Sequence, residues 1–350
     1  FFLMYIIIAI LMFGVLIAIH EFGHFITAKA CKVRVDEFAI GMGPAIFKKR
    51  RGETLYALRI LPLGGFCAMG EDEESDDPRA FVNQGFWKKF LILCAGSFMN
   101  FLLGVILIVI MYSPAQGFID PVIAEFHEDC PYQGEDALQV GDRFYSIDGH
   151  RIYLNSDVSM FLERGKGVYD VVVVRDGEKV EFKSMELART VKTEQGMKYG
   201  FTWQVSEATP GAKLHYTWNT AMEFSRLVWL GLGDLIHGAV GVDEMAGPVG
   251  IVDMMNQVGS SAESAADAAY GILYFSAFIA INLAIMNMLP IPALDGGRVF
   301  LMIVTIIIEA MTRRRLDPKY EGYIHAGGMV LLLILMAFIM YNDISKLITG

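Results

Sequence analysis

The stretch VLIAIHEFGHFITAKA, Val15 to Ala30, sets two histidines and a glutamate inside one of the most apolar runs of the chain. Ionisable groups in a bilayer are costly unless they are paired or ligated, so an intramembrane His–Glu–His set reads first as a functional site. A spanning helix needs about 20 mostly apolar residues. Four stretches meet that length: Phe1 to about Ala28, about Phe90 to Tyr112, about Gly271 to Leu289, and about Gly327 to Tyr341. The expected fold is an α-helical polytopic membrane protein of about four spans, with β-hairpin loops on the cytosolic side and an inserted β-rich domain outside. Phe1 to Ile19 lacks a basic leader and a small-residue cleavage site, and reads as a retained helix rather than a signal peptide.

Bulk composition agrees with this. The 350 residues are 54% hydrophobic and 19% charged, against about a quarter charged in soluble proteins. A net charge of −10 argues against a nucleic-acid partner. The basic residues gather in short runs beside apolar segments, at Phe47–Arg51, Trp87–Phe90 and Thr312–Lys319. That is the pattern of cytoplasmic flanks, and it places both termini outside. Cys31, Cys67, Cys94 and Cys130 have neither metal-ligand nor disulfide-framework spacing. The acidic run Glu71–Asp77 reads as a solvated linker.

The middle of the chain changes character. Tyr169–Lys183 is a β-branched run, an Asp-Gly turn and a second strand, the pattern of a hairpin. Ala137–Ile152 holds Gly-Asp, a strand, then another Asp-Gly turn. Lys213–Val240 is apolar and aromatic but broken by Glu223, Arg226, Asp234 and His237. It reads as an amphipathic helix lying on the outer membrane surface, with a fifth span as the competing reading. The loop between the first two spans alternates apolar residues with Gly and Pro, and predicts a β-hairpin dipping toward the membrane face. The resulting boundaries are 1–112 for the N-terminal membrane half, 113–205 for the β-rich domain, 206–270 for the interfacial helix and connector, and 271–350 for the C-terminal membrane half.

On a helix, His20 and His24 share one face and can grip one Zn²⁺. A metal ion there lowers the pKa of water to about 7, and Glu21 is placed to take its proton as general base. A catalytic zinc wants a third protein ligand. The best candidate is Asp295, in a Leu-Asp-Gly-Gly turn after Pro290-Ile291-Pro292, where the prolines break an apolar helix and free a carboxylate to turn inward. The alternative is that Asp295 caps the following helix. The first and third spans run in the same sense, so His24 and Asp295 both fall toward the cytosolic ends and can meet. His127, His150, His215, His237 and His325 lack motif spacing and read as surface or interfacial residues.

HEFGH in the first span, together with NMLPIPALDGG in the third, resembles the site-2 protease family of intramembrane zinc metalloproteases. The inserted β-rich block, with LQVGDRFYSIDG, resembles a single PDZ domain, so the chain is similar to the bacterial RseP/RasP type. The resemblance implies zinc held by His20, His24 and Asp295, with Glu21 as the catalytic base. It also implies that Asn287, with Pro290 and Pro292 in the same motif, helps hold substrate or polarise the scissile carbonyl, a helix-break cap being the other reading of Asn287. Ala95–Phe101 is similar to the family's Ala-Gly-Pro-x-x-Asn element, with Ser97 in place of Pro and Asn100 at the end. Met245–Ile251 also matches a family segment, without a chemical role. The family implies substrates that are single-span membrane proteins, such as anti-sigma factors and remnant signal peptides, trimmed beforehand by a site-1 protease. It places the protein in a bacterial inner membrane with the active site toward the cytosol and the PDZ domain outside. Helical peptide bonds are shielded, so the substrate must be extended, and the loops around Gly41–Gly43 and Leu55–Phe66, with Tyr56, Leu58 and Ile60, are expected to offer a strand edge for it. Two other classes, a non-enzymatic adaptor and an ion transporter, predict respectively that Glu21→Gln leaves function intact and that polar residues recur through several spans.

Overall fold

The computed structural model describes residues 2–70, 75–189, 191–193, 196–241, 245–313 and 319–349. The chain divides into two compact units, Phe1–Ile108 with Phe224–Gly350, and Val109–Glu223. Part of the acidic run and part of the basic run at Thr312–Lys319 lie outside the described residues.

The first unit is built on α1 (Phe2–Ala30), α2 (Phe86–Tyr112), α4 (Pro210–Ile236), α5 (Pro248–Ser260), α6 (Ala265–Met286), α7 (Asp295–Thr312) and α8 (Lys319–Thr349), the unit boundaries passing through α2 and α4. Among the described residues, four helices are long and apolar enough to cross a membrane: Met4–Ala30, Phe86–Tyr112, Ala265–Met286 and Gly322–Lys346. These are the four stretches expected from the sequence. α4 is not among them, since Glu223, Arg226 and Asp234 interrupt it. Leu16 of α1 is buried with Ile279 and Ala280 of α6, and Leu103 of α2 packs on the same cluster. Gly23 lets α2 close on α1, because a Cβ there would overlap the Ala95 carbonyl.

The loop after α1 is a hairpin, β1 (Glu37–Arg51) and β2 (Thr54–Ala68). Both strands bend and pair more than once. Glu37–Ile40 lie opposite Leu55–Leu58 on one side and opposite Gly65–Ala68 on the other, while Phe47–Arg51 lie opposite Thr54–Leu58. Leu55–Leu58 are therefore flanked on both sides. The expected strand edge is not free at Tyr56 and Leu58, which sit in an interior strand; Arg59 and Leu61, either side of Ile60, are each paired on one side only, with Ala45 and Met42. Among the described residues, Gly65–Ala68 pair with Glu37–Ile40 on one side and with no strand on the other. This stretch runs beside α1, with Gly65 against Ile17 and Glu21.

The second unit holds β3 (Gly117–Phe126), β4 (Arg143–Ile147), β5 (His150–Arg151), α3 (Asn155–Arg164), β6 (Val168–Arg175), β7 (Glu178–Glu186), β8 (Val191–Thr193), β9 (Gly196–Lys198) and β10 (Phe201–Glu207). Its main sheet runs β10-β3-β4-β6-β7, with β5 on β4. Both expected Asp-Gly turns are two-residue hairpin turns: Arg175 pairs with Glu178 and Ile147 with His150. Asp148, Gly149, Asp176 and Gly177 all take positive φ, as such turns require. The buried Asp142 carboxylate receives both Nε and Nη2 of Arg175 at 2.8 Å and the Gln139 amide. Phe118 and Tyr216 stack at 4.1 Å, and the Tyr216 hydroxyl donates to Asp120. Burial and that carboxylate push the Tyr216 phenol up, so it stays a donor.

The segment Met245–Ile251, which had no chemical role in the sequence, has a structural one. Asp343 of α8 is buried, and its Oδ2 accepts the Gly247 and Gly250 amides at 3.0 and 2.8 Å. These are orphan donors at the N-terminus of α5, where a carboxylate is favoured twice, by the hydrogen bonds and by the helix dipole. Asp343→Ala is expected to destabilise the protein by about 2 kcal/mol or more, checked by thermal unfolding in detergent, with Asp343→Asn losing less.

Candidate metal centre

His20 and His24 lie one turn apart near the end of α1, so their rings emerge on one face. Their Nε2 atoms are 3.1 Å apart, with ring planes at 81°. Asp295 meets them from the start of α7. Its Oδ2 lies 3.0 Å from His20 Nε2 and 3.3 Å from His24 Nε2. The cap position of α7 is Leu294, with no side-chain cap bond, so the carboxylate is spent on the imidazoles and not on its own helix.

The three donor atoms fit a metal ion. Their separations match the roughly 3.3 Å edge of a tetrahedron with bonds of about 2.0–2.1 Å. The donor set, two imidazoles and one carboxylate, suits zinc and leaves the fourth position for water or substrate. Room for the ion is kept by Gly96 of α2: a Cβ there would lie 2.5 Å from His24 Nε2 and 2.8 Å from His20 Nε2.

The surroundings fix which ring nitrogen is free. His24 Nδ1–H donates to the Ile92 carbonyl at 2.8 Å, leaving Nε2 unprotonated toward the metal. The Asn100 amide lies 3.4 Å from His20 Nδ1, and its Oδ1 is buried without a partner. The two ends of an amide are told apart only by their bonds. Turned so that Oδ1 faces His20, Asn100 accepts the Nδ1–H and sets the same tautomer. Glu21, beside His20, receives the Cys67 backbone amide of β2 on its carboxylate. Burial, then the Glu21 charge, push the Cys67 thiol up to about 12.

The turn that carries Asp295 is held from several sides. Gly296 N–H donates to the Asn287 carbonyl at 2.8 Å, closing the loop. Asn287 is the C-cap of α6, as its alternative reading had it, yet its half-buried side-chain amide makes no hydrogen bond among the described residues. Pro290 is exposed, while Pro292 packs against Gly328 of α8. Ala293 has φ +76, a left-handed conformation that strains a residue with a Cβ. Its amide donates to His325 Nδ1 at 3.1 Å.

His325 was expected to be one more surface or interfacial histidine. It is half-buried and holds the strained residue two before the third ligand. No sequence spacing marks it, since its partner is a backbone amide. The Cys67 amide, the Ile92 carbonyl and the Gly96 opening are invisible in sequence for the same reason. Asn100 was signalled by its motif but without a role.

The family model for Peptidase family M50 matches residues 8–335, and the chain belongs to that family. A Clostridium perfringens protein carrying the provisional name zinc metalloprotease is 36% identical over 345 residues, covering 97% of this chain and 98% of the relative. A Clostridium acetobutylicum protein with the same provisional name is 34% identical over 346 residues, covering 97% of each. The zinc metalloprotease RasP of Bacillus licheniformis is 28% identical over 423 residues, covering 97% of this chain and 98% of the relative.

His325→Leu removes the acceptor for Ala293, whereas His325→Asn keeps one at a similar reach. Zinc affinity, measured by chelator competition, is expected to fall about 10- to 100-fold in the first, as for other outer-shell changes, and to recover in the second.

Proposed function

We propose that this chain is a zinc-dependent endopeptidase that hydrolyses peptide bonds within the spanning segments of single-span membrane proteins. The observation that carries the reading is the meeting of His20, His24 and Asp295 at one point within a unit whose helices are long enough to cross a bilayer. Bound there, zinc supplies a Lewis acid that acidifies water and polarises a carbonyl. Glu21 takes the proton from the attacking water and passes it to the leaving amine. The Cys67 amide keeps the Glu21 carboxylate oriented for this. The uncommitted amide of Asn287 donates to the scissile carbonyl, a neutral group being cheaper to bury than Lys or Arg. The extended substrate pairs with the Gly65–Ala68 edge, next to the base, with Pro290 and Pro292 shaping the turn opposite. Leu58 and Ile60, whose side chains are exposed, serve as apolar contacts and not as the pairing edge.

The unit Val109–Glu223 reads as a PDZ domain that screens substrates by size or by newly exposed C-termini. The substrate class is anti-sigma factors and remnant signal peptides already trimmed by a site-1 protease. In this reading the protein lies in a bacterial inner membrane with the metal centre toward the cytosol and the PDZ domain outside.

Zinc per chain and cleavage of a spanning substrate in detergent, for the wild type and Glu21→Gln, test the activity. The variant is expected to keep about one zinc and to lose about 10²- to 10⁴-fold in rate. An unchanged rate overturns the reading and favours a metal-bearing adaptor.

A further inference from the structure

A cavity of about 350 Å³ opens beside the donor set. Ser97, Phe98 and Phe101 of α2, Trp229 of α4, and Ile285 and Met288 at the end of α6 form most of its wall. Residues of its wall neighbour the metal centre on two sides. Cys94, also in the wall, is close enough to Asp295 to feel its charge, and Gly96, between Cys94 and Ser97, touches both imidazoles. The Met288 backbone packs against Gly296, the residue after Asp295.

The space exists because small residues, Cys94, Ser97 and Ala284, stand among aromatic ones. The lining is almost wholly carbon. The Ser97 hydroxyl is buried and has no partner among the described residues. A buried hydroxyl without a partner is unfavourable, so an acceptor that enters with a ligand accounts for it. The volume suits a side chain and excludes a helix, which is about 10–12 Å across.

We propose that this cavity is a substrate subsite, taking one large apolar side chain, Leu to Phe in size, from the residue next to the scissile bond. This rests on the endopeptidase reading above. An extended chain turns alternate side chains to opposite faces. With its carbonyl at the donor set, the neighbouring side chain points at the Cys94–Ser97 wall, and the Ser97 hydroxyl donates to a main-chain carbonyl of the same stretch.

The test uses the full chain in detergent and spanning substrates differing only at the residues flanking the cut (Ala, Val, Leu, Phe or Trp). Products are mapped by mass spectrometry and zinc per chain is measured alongside. The wild type is expected to cut the Phe substrate about tenfold or more faster than the Ala one. In Ser97→Leu, which fills the cavity, that ratio falls tenfold or more; in Phe101→Ala, which enlarges it from another position, preference moves to Trp. Phe101→Ala decides the matter if Ser97→Leu does not hold zinc. An unchanged ranking in zinc-loaded variants overturns the subsite, as for a cavity filled by a lipid chain, and leaves the endopeptidase reading standing. A zinc-loaded wild type that cuts none of the series overturns both.

Discussion

Three ionisable side chains meet at a single point inside an apolar unit, and the rest of that unit is arranged around the cost of putting them there. Two imidazole nitrogens and a carboxylate oxygen lie 3.0–3.3 Å from one another. Removed from water, such groups are tolerable only when each is paired or ligated. A divalent cation satisfies all three at once. The helix packing then follows: α1 must present its last turns to α2 at Gly23 and Gly96, and α7 must begin where those turns end.

The outer layer is built largely from backbone atoms. The Ile92 carbonyl orients one imidazole, the Cys67 amide orients the base, and the Asn287 carbonyl closes the turn under the third ligand. Side chains enter where backbone cannot reach, Asn100 on His20 and His325 on the strained Ala293. Apart from the Asn287 closure, each of these contacts crosses between elements far apart in the chain. The site is therefore only as ordered as the packing of α1, α2, α7, α8 and the hairpin.

That hairpin also explains why one strand expectation failed. Alternating apolar residues mark Tyr56–Ile60 as a strand, and it is one. Alternation gives the period of a strand but not how many neighbours it has. β1 folds back over β2 and covers Leu55–Leu58 on both sides, which moves the free edge to Gly65–Ala68, beside Glu21. The expected edge, Leu55–Phe66, reaches only the first two residues of that stretch.

What the sequence determined by itself was whatever depends on local spacing or on length. Four apolar runs, the i, i+4 histidines with their adjacent glutamate, the helix-breaking prolines before Asp295, and the two Asp-Gly turns were all legible, because period and turn chemistry are properties of neighbouring residues. Tertiary structure alone decided that Asp295 leaves its own helix uncapped to reach the imidazoles, that Asp343 seizes the start of α5, and that His325 steadies the ligand turn. The last two choices pair a side chain with a backbone group, and a backbone group has the same identity at every non-proline position. No residue pattern can announce it; only the approach of one element to another brings it within hydrogen-bonding distance.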